Sequence, residues 1–217
     1  ALIGSNGAGK TTVFNLLTKF LIPSGGQILF NGNDITRVKP ADIARRGLVR
    51  SFQISAVFPH LTCLENVRVA LQKRLRGDSF DFWRSETTLR ALDGQADDLL
   101  DQVNLAAYRD IPAVELPYGR KRALEIATTL ALEPELMLLD EPMAGMGHED
   151  IDHTAALIRK VSANRTILMV EHNLSVVSDL SDKITVLRRG EILAEGPYAV
   201  VSKDPQVMEA YMGTGHA

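Results

Sequence analysis

Residues 4–12 read GSNGAGKTT and match the phosphate-binding P-loop pattern G-x-x-x-x-G-K-T, which indicates the fold class. Glycines in such a loop let successive backbone N–H groups turn inward around phosphate oxygens. Lys10 is predicted to reach the β- and γ-phosphates of a nucleotide, and the hydroxyl of Thr11 is predicted to hold Mg²⁺. The candidate nucleotide-binding residues are Gly4, Ser5, Asn6, Gly7, Ala8, Gly9, Lys10, Thr11 and Thr12.

The sequence on either side of the loop fits the P-loop pattern. Residues 1–3 are apolar and are expected to end a strand, and Val13, Leu16, Leu17 and Phe20 recur at helical spacing behind the loop. A helix that begins at the end of the loop would point its positive end at a bound phosphate. Because the sequence opens inside what resembles a strand, we expect the natural protein to begin further upstream.

Strands and helices alternate along the rest of the chain, which is typical of an α/β fold with a mostly parallel sheet. Continuous apolar runs at 136–139 and 166–170 predict buried parallel strands. A charged and helical stretch between the P-loop and these runs predicts an inserted subdomain. We therefore expect a P-loop NTPase of the RecA-like class, with an ATPase core at 1–65 and 133–217 and a helical subdomain at 66–132.

The composition excludes several classes of protein. The chain has 24 basic and 27 acidic residues and a net charge of −3, whereas a nucleic-acid-binding surface favours a basic balance. Its apolar runs fall far short of the ~20 residues of a membrane-spanning helix. A single cysteine, Cys63, rules out an intramolecular disulfide and is typical of a reducing compartment. We expect no nucleic-acid partner and no segment that crosses a bilayer.

Two apolar runs end in residues that can support catalysis. Asp140 and Glu141 follow the run at 136–139, and His172 closely follows the run at 166–170. The carboxyl ends of parallel strands are where ligands bind in open α/β sheets. Asp140 is expected to hold Mg²⁺, and Glu141 is expected to act as general base on the attacking water.

A P-loop alone does not separate kinases, GTPases, helicases and transporter motors, but the chain lacks the Asn-Lys pair with which a GTPase recognises its guanine base.

Taken in order, these motifs resemble those of the nucleotide-binding domain of an ABC transporter over the whole chain. Residues 4–12 are similar to its Walker A motif, Asp140 and Glu141 to its Walker B motif and catalytic glutamate, and His172 to its switch histidine. Gln53 is similar to the Q-loop glutamine, which the resemblance implies contacts Mg²⁺ and the attacking water. The family signature LSGGQ corresponds here to Leu116, Pro117, Tyr118, Gly119 and Arg120.

The resemblance implies an ATPase that uses ATP and Mg²⁺ and works in pairs. Two such domains would enclose two ATP–Mg²⁺ at their interface, the partner being a second copy or a different ATP-binding subunit. A loop that begins at Ser55 and ends at Leu61 would contact a transmembrane permease subunit, with the apolar residues Val57 and Phe58 as its docking tip. The protein would lie on the cytoplasmic face of a bacterial inner membrane and would act indirectly with a periplasmic binding protein.

Within this family the chain most resembles the ATPase subunits for branched-chain amino acid uptake. The resemblance lies in residues 53–66, in the charged helical insert, and in the ending VMEAYMG at 207–213. The ATPase for lipopolysaccharide export shares parts of this pattern and is the alternative transport class. The substrate itself is selected by membrane and binding subunits.

Three departures from the family pattern bear on turnover. Pro117 replaces the signature serine and offers neither hydroxyl nor N–H, Arg120 replaces the glutamine, and Gly147 lies in a loop that lacks the usual aspartate. A regulatory module that binds ATP with little turnover is therefore a second interpretation, and Glu141 argues against it because an inert site needs no base.

DNA-repair members of the family carry a long coiled coil between the Q-loop and the signature, for which this chain has no room.

Overall fold

The computed structural model describes residues 1–51, 57–72 and 90–212, with side chains described up to residue 209. Its centre is a sheet covered by helices. The strands are β1 (Leu2–Ile3), β2 (Leu29–Phe30), β3 (Asn33–Asp34), β4 (Leu48–Ser51), β5 (Leu136–Asp140), β6 (Thr166–Val170), β7 (Ile184–Arg188) and β8 (Glu191–Gly196). The helices are α1 (Lys10–Leu17), α2 (Pro40–Arg45), α3 (Cys63–Gln72), α4 (Asp93–Gln102), α5 (Tyr118–Leu130), α6 (His148–Ser162), α7 (Leu174–Leu180), α8 (Tyr198–Val201) and α9 (Pro205–Met212), with 3₁₀ turns at Ala106–Tyr108 and Ala113–Glu115.

The central sheet has six strands in the order β4-β5-β6-β1-β7-β8. Neighbouring strands are parallel except for β8, which pairs antiparallel with β7. This confirms the predicted α/β fold with a mostly parallel sheet. Because β1 lies between β6 and β7, the loop that follows it begins at an interior strand of the sheet and not at an edge strand. The strands β2 and β3 form a separate hairpin, and Asn31 and Gly32 in its turn both have positive φ, as a tight hairpin turn requires.

The two long apolar runs form neighbouring strands. β6 has the predicted bounds, and β5 extends one residue beyond its predicted run to include Asp140. The two strands pair in register up to Asp140 opposite Val170. Buried side chains on both faces of β5 explain why its run is continuous rather than alternating. This register brings the residues after both strands, Glu141 and Glu171, to the same edge of the sheet.

The helix α1 differs from the stripe that the sequence predicts. It ends at Leu17, and its fully buried residue is Phe14, which lies one turn after the buried Lys10 and one turn before the buried Thr18. Phe20 lies beyond the helix and is 60% exposed. Val13 and Leu17 of the predicted stripe do pack against the cluster that contains Phe14. The stripe fails at Phe20 because the chain turns after α1, where Lys19 takes a positive φ of 65°.

The helices α3, α4 and α5 pack against one another. The predicted capping box opens α3, since Thr62 N–H donates to Glu65 Oε2 at 2.8 Å and Glu65 N–H donates to Thr62 Oγ1 at 3.2 Å. Buried residues of these helices belong to the same hydrophobic cluster as Met137 and Leu139 of β5. The division into a core and a helical subdomain stays a prediction. Among the described residues, no helix combines the length and apolar character needed to cross a bilayer.

Candidate active site

The predicted phosphate loop connects β1 to α1 and is closely packed against the β7–β8 turn. A Cβ atom on Gly4 would lie 2.4 Å from the carbonyl oxygen of Leu187, so no larger residue fits there without a shift of backbone. Gly190 N–H donates to the carbonyl of Ala8 at 2.9 Å, and Gly9 turns the chain into α1 with a φ of 107°. The loop is therefore fixed from outside by main-chain contacts, while Ser5, Asn6 and Gly7 are exposed.

Lys10 lies under this loop with 8% of its surface exposed. Its Nζ donates to the carbonyl of Gly4 at 2.8 Å and to that of Ser5 at 3.1 Å. Burial lowers the pKa of Lys10, while the carboxylates of Glu141 and Asp140 act in the opposite direction. The ammonium group therefore lies within electrostatic reach of both predicted acids. The exposed hydroxyl residues Thr11 and Thr12 follow it in the first turn of α1, at the positive end of the helix.

Asp140 has a partner that the sequence did not reveal. Arg50 on β4 places Nη2 2.5 Å from Asp140 Oδ2, and the two side chains are only 11% and 4% exposed. The other terminal nitrogen of Arg50 donates to Asn15 Oδ1 at 2.8 Å, and the guanidinium lies 5.4 Å from the centre of the Phe14 ring. One carboxylate oxygen of Asp140 is thus occupied by an arginine, which leaves Oδ1 as the oxygen available to a cation.

Glu141 and His172 meet where β5 and β6 end. Glu141 Oε1 and His172 Nε2 are 2.8 Å apart, and Glu141 N–H donates to the carbonyl of Val170 at 2.8 Å. Glu141 has a positive φ of 46°, an uncommon conformation for a residue with a side chain and one that is concentrated at functional sites. The structure therefore brings together a carboxylate able to accept a proton and an imidazole able to orient it.

Glu171 is a second buried carboxylate at this edge of the sheet, and its role was not predicted. It is 5% exposed. Its Oε1 accepts the N–H groups of His172 at 2.8 Å and of Asn173 at 3.2 Å, and its Oε2 accepts the N–H of Met143 at 3.1 Å. The sequence does show an acidic residue directly before the histidine. Its hydrogen bond with Met143, however, could be found only from the folded structure.

The predicted signature segment lies at the start of α5. Leu116 is buried and Pro117 is the N-cap, and the first hydrogen bond of the helix runs from Lys121 N–H to the Pro117 carbonyl at 3.0 Å. The earlier N–H groups of the helix, which include that of Gly119, point out of its end. Arg120 donates to the carbonyl of Asn104 at 3.0 Å and lies 5.0 Å from the ring of Tyr108. These two contacts hold Arg120 against the helical region of its own chain.

The other side of this segment contacts the region that follows Glu141. A Cβ atom on Gly119 would lie 2.5 Å from Asp150 Oδ1 of α6, so the glycine allows close approach of the two helices. Tyr118 is 54% exposed, and its ring lies 3.8 Å from the position of a Cβ on Gly145. The signature segment is therefore positioned by the loop and helix that follow β5.

The loop predicted to dock a permease is only partly described. Gln53 and residues 55–56 lie outside the described residues. Val57, predicted as a docking residue, is partly buried against the hydrophobic cluster of the helices, while Phe58 is 53% exposed. The carboxamide of Asn66 fixes this loop: it accepts Phe58 N–H at 2.7 Å and donates to the carbonyls of Phe58, Leu61 and Thr62.

An apolar groove of about 530 Å³ opens beside Phe58. It lies where α2 and β4 face α3 and α5, between the sheet and the helical region. Its lining is mainly apolar and includes Phe20, Ile43, Val49, Phe58, Val69 and Leu132. Partly exposed aromatic and aliphatic residues, among them Phe20 and Phe58, lie at its edge.

Comparison with known proteins identifies the family. The model of the ABC transporter family matches residues 1–144. The chain belongs to the ABC transporter ATP-binding family. A second family model, described as branched-chain amino acid ATP-binding cassette transporter, matches residues 191–217 of this ABC ATPase.

Its relatives match along nearly the whole chain. The high-affinity branched-chain amino acid transport ATP-binding proteins BraF of Pseudomonas aeruginosa and LivG of Escherichia coli are each 37% identical over 98% of this chain and 86% of their own length. Among solved structures, the ADP conformation of MJ1267, an ATP-binding cassette of an ABC transporter, has a TM-score of 0.82 at 30% identity, and the match covers 98% of this chain and 86% of that one. These matches confirm the ATP-binding cassette fold and the ATPase class.

Proposed function

We propose that this ABC ATPase is the motor subunit of a bacterial importer for branched-chain or related amino acids. Two observations support the substrate class: the named relatives match over nearly the whole chain, and the C-terminal family model is specific to branched-chain amino acid cassettes. The relatives do not favour lipopolysaccharide export. The observation that carries the hydrolytic role is the 2.8 Å contact between Glu141 and His172 at the carboxyl edge of the sheet.

The residues around the P-loop fit an ATP–Mg²⁺ ligand. The loop backbone and Lys10 would hold the phosphates, and a carboxylate and a hydroxyl, from Asp140 and Thr11, are ligands that Mg²⁺ prefers. Gln53 would join them at the metal. Bound Mg²⁺ would neutralise charge on the transferred phosphoryl group. Glu141 would accept a proton from the attacking water, and His172 would hold the carboxylate in position.

The site is expected to be completed by a partner ATP-binding subunit. The signature residues Leu116, Pro117, Tyr118, Gly119 and Arg120 would face the nucleotide of that partner. The start of α5 supports this role because no side chain caps it among the described residues, and the first N–H groups of a helix can bind an anion. Permease subunits would dock at residues 55–61 and in the adjacent apolar groove. The protein would then work at the cytoplasmic face of the inner membrane. A periplasmic binding protein would deliver the substrate.

A transport assay tests this function. The full-length protein, reconstituted in proteoliposomes with the permeases encoded beside it and their binding protein, should take up leucine, isoleucine or valine only with ATP. The Glu141→Gln variant should abolish that uptake. Sustained ATP hydrolysis that no branched-chain amino acid stimulates would reject the substrate class. ATP binding without turnover in the complete transporter would favour the regulatory module instead.

A further inference from the structure

We propose that Glu171 is a positioning residue for ATP hydrolysis. Its single buried carboxylate fixes the loop after Glu141 relative to the segment that carries His172. The inference rests on the proposed roles of Glu141 and His172. It concerns a residue that contacts neither the nucleotide loop nor the proposed metal ligands through any hydrogen bond found for it in the described chain.

The backbone pairing of β5 and β6 ends at Glu141, one residue of the proposed catalytic pair. Its last contact is Glu141 N–H donating to the Val170 carbonyl at 2.8 Å. Beyond that point the two chains diverge, one into a turn after Glu141 and the other into α7. Side-chain contacts beyond this point can therefore help to hold Glu141 and His172 at 2.8 Å.

The carboxylate of Glu171 bridges the diverging chains. On one side Oε2 accepts Met143 N–H at 3.1 Å, within the turn that Glu141 begins. On the other side Oε1 accepts His172 N–H at 2.8 Å and Asn173 N–H at 3.2 Å. Asn173 in turn caps α7 by accepting Ser175 N–H at 3.1 Å. One rigid planar group thus spans both segments, with each oxygen committed to one of them.

The same bridge gives a route from the partner subunit to the catalytic pair. Residues 143–147 form the loop that adjoins the signature segment, since Gly145 lies against the ring of Tyr118. Movement of this loop on dimer formation would displace Met143 and therefore the carboxylate of Glu171 that is bonded to it. Because the other oxygen of Glu171 holds the backbone of His172, the displacement would alter the contact between His172 and Glu141.

Glu171→Gln tests the bridge with almost no change in shape. A carboxamide has one acceptor oxygen and one NH₂ donor, so it can accept N–H groups on one side only and opposes a donor on the other. We expect kcat to fall at least tenfold in the full-length protein, with ATP binding affinity within twofold of wild type. Glu195→Gln is the matched control, because Glu195 also accepts hydrogen bonds, from Thr185 and Lys183, but lies on the edge strand β8. It should leave kcat unchanged.

Two further variants separate positioning from general destabilisation. Glu171→Asp keeps both acceptor oxygens and should retain more activity than Glu171→Gln. Its kcat also tests the proposal if the glutamine variant folds poorly. In a His172→Ala background, Glu171→Gln should slow the residual turnover by less than twofold, because Glu171 acts through His172. Independent, multiplicative losses would overturn the proposal.

A direct measurement of the bridge does not depend on residual activity. Amide hydrogen exchange at Met143 should be slow in the wild type and faster in Glu171→Gln, whereas Glu195→Gln should not change it. Unchanged exchange, or wild-type kcat in both Glu171 variants, would reject the inference. Normal turnover in Glu141→Gln would instead reject the proposed role of Glu141, and failure of the uptake assay would reject the proposed function, so these failures are distinguishable from a failure of the bridge.

Discussion

Lys10 is the residue on which nucleotide binding is expected to depend most strongly. We predict that Lys10→Ala abolishes ATP turnover and weakens nucleotide binding, because it removes the buried charge that lies beneath the phosphate loop. Loss of such a charged contact should cost about 2–5 kcal/mol of binding free energy. Lys203→Ala, at an exposed position near the C-terminus, is the control. Calorimetry and a phosphate-release assay measure both effects; normal turnover in Lys10→Ala would refute the P-loop assignment.

Glu141 is the residue on which the chemical step should depend. Glu141→Gln is predicted to bind ATP but to hydrolyse it at least ~100-fold more slowly, the usual contribution of a positioned proton acceptor. Since ATP would persist, the variant should accumulate as an ATP-bound dimer in size-exclusion chromatography. Turnover close to that of the wild type would move the general-base role elsewhere, with His172 the next candidate because it lies 2.8 Å away.

The pairing of β4 with β5 depends on a buried ion pair as well as on backbone hydrogen bonds. We predict that Arg50→Met lowers the free energy of unfolding by about 3–5 kcal/mol, because it leaves the buried carboxylate of Asp140 unpaired. Adding Asp140→Asn should recover much of the loss. Arg45→Met is the control, since Arg45 and Asp42 are 73% and 45% exposed and their pair should contribute less than ~1 kcal/mol. Chemical denaturation measures all three; equal effects of Arg50→Met and Arg45→Met would contradict the ion-pair argument.

At the level of elements, the sequence predicted those strands and helix starts that depend on a pattern within a few neighbouring residues. Continuous apolar runs gave β5 and β6, and the capping box at Thr62 and Glu65 gave the start of α3, because these signals are contained within a few residues. The end of α1 was missed. Helical spacing placed Phe20 in the buried stripe, but periodicity does not report where a chain leaves a helix, and Phe14 is buried instead.

Contacts between elements could not be predicted from local sequence patterns. The partnership of Arg50 with Asp140 follows only from the strand order, which places β4 beside β5. Likewise, the bond from Met143 to Glu171 depends on two strands ending at one edge of the sheet. The motifs therefore predicted residues that the fold brings near one another, namely Lys10, Asp140, Glu141 and His172, but not which side chains hold them there.

In the whole molecule, the strand β4 connects the apolar groove with the candidate active site. Val49 lines the groove, and Arg50, the next residue, holds Asp140 beside the phosphate loop. One hydrophobic cluster also runs without interruption from the helical region to β5. A permease seated in the groove would thus act on a strand whose neighbouring residue positions a proposed metal ligand.

The signature segment bears on assembly because it would serve the site of the partner. Pro117 occupies the N-cap of α5, where a serine would accept an N–H of the first turn or donate to a phosphate. Proline does neither. We propose that this chain pairs with a different ATP-binding subunit whose signature keeps the serine, so that the site completed by this chain is the weaker of the two.

Pro117→Ser tests this asymmetry. One hydrogen bond to a charged group contributes roughly 1.5–3 kcal/mol, which is enough for a tenfold or larger difference between two sites. We therefore expect Pro117→Ser to raise turnover and to promote ATP-dependent dimerisation, measured by phosphate release and size-exclusion chromatography. Because a serine N-cap would also stabilise α5 by about 1 kcal/mol, thermal unfolding without nucleotide must be measured in parallel. A gain in thermal stability with turnover and dimerisation unchanged would make Pro117 a structural variant, with Gly119 and the other helix-end N–H groups sufficient for the phosphate.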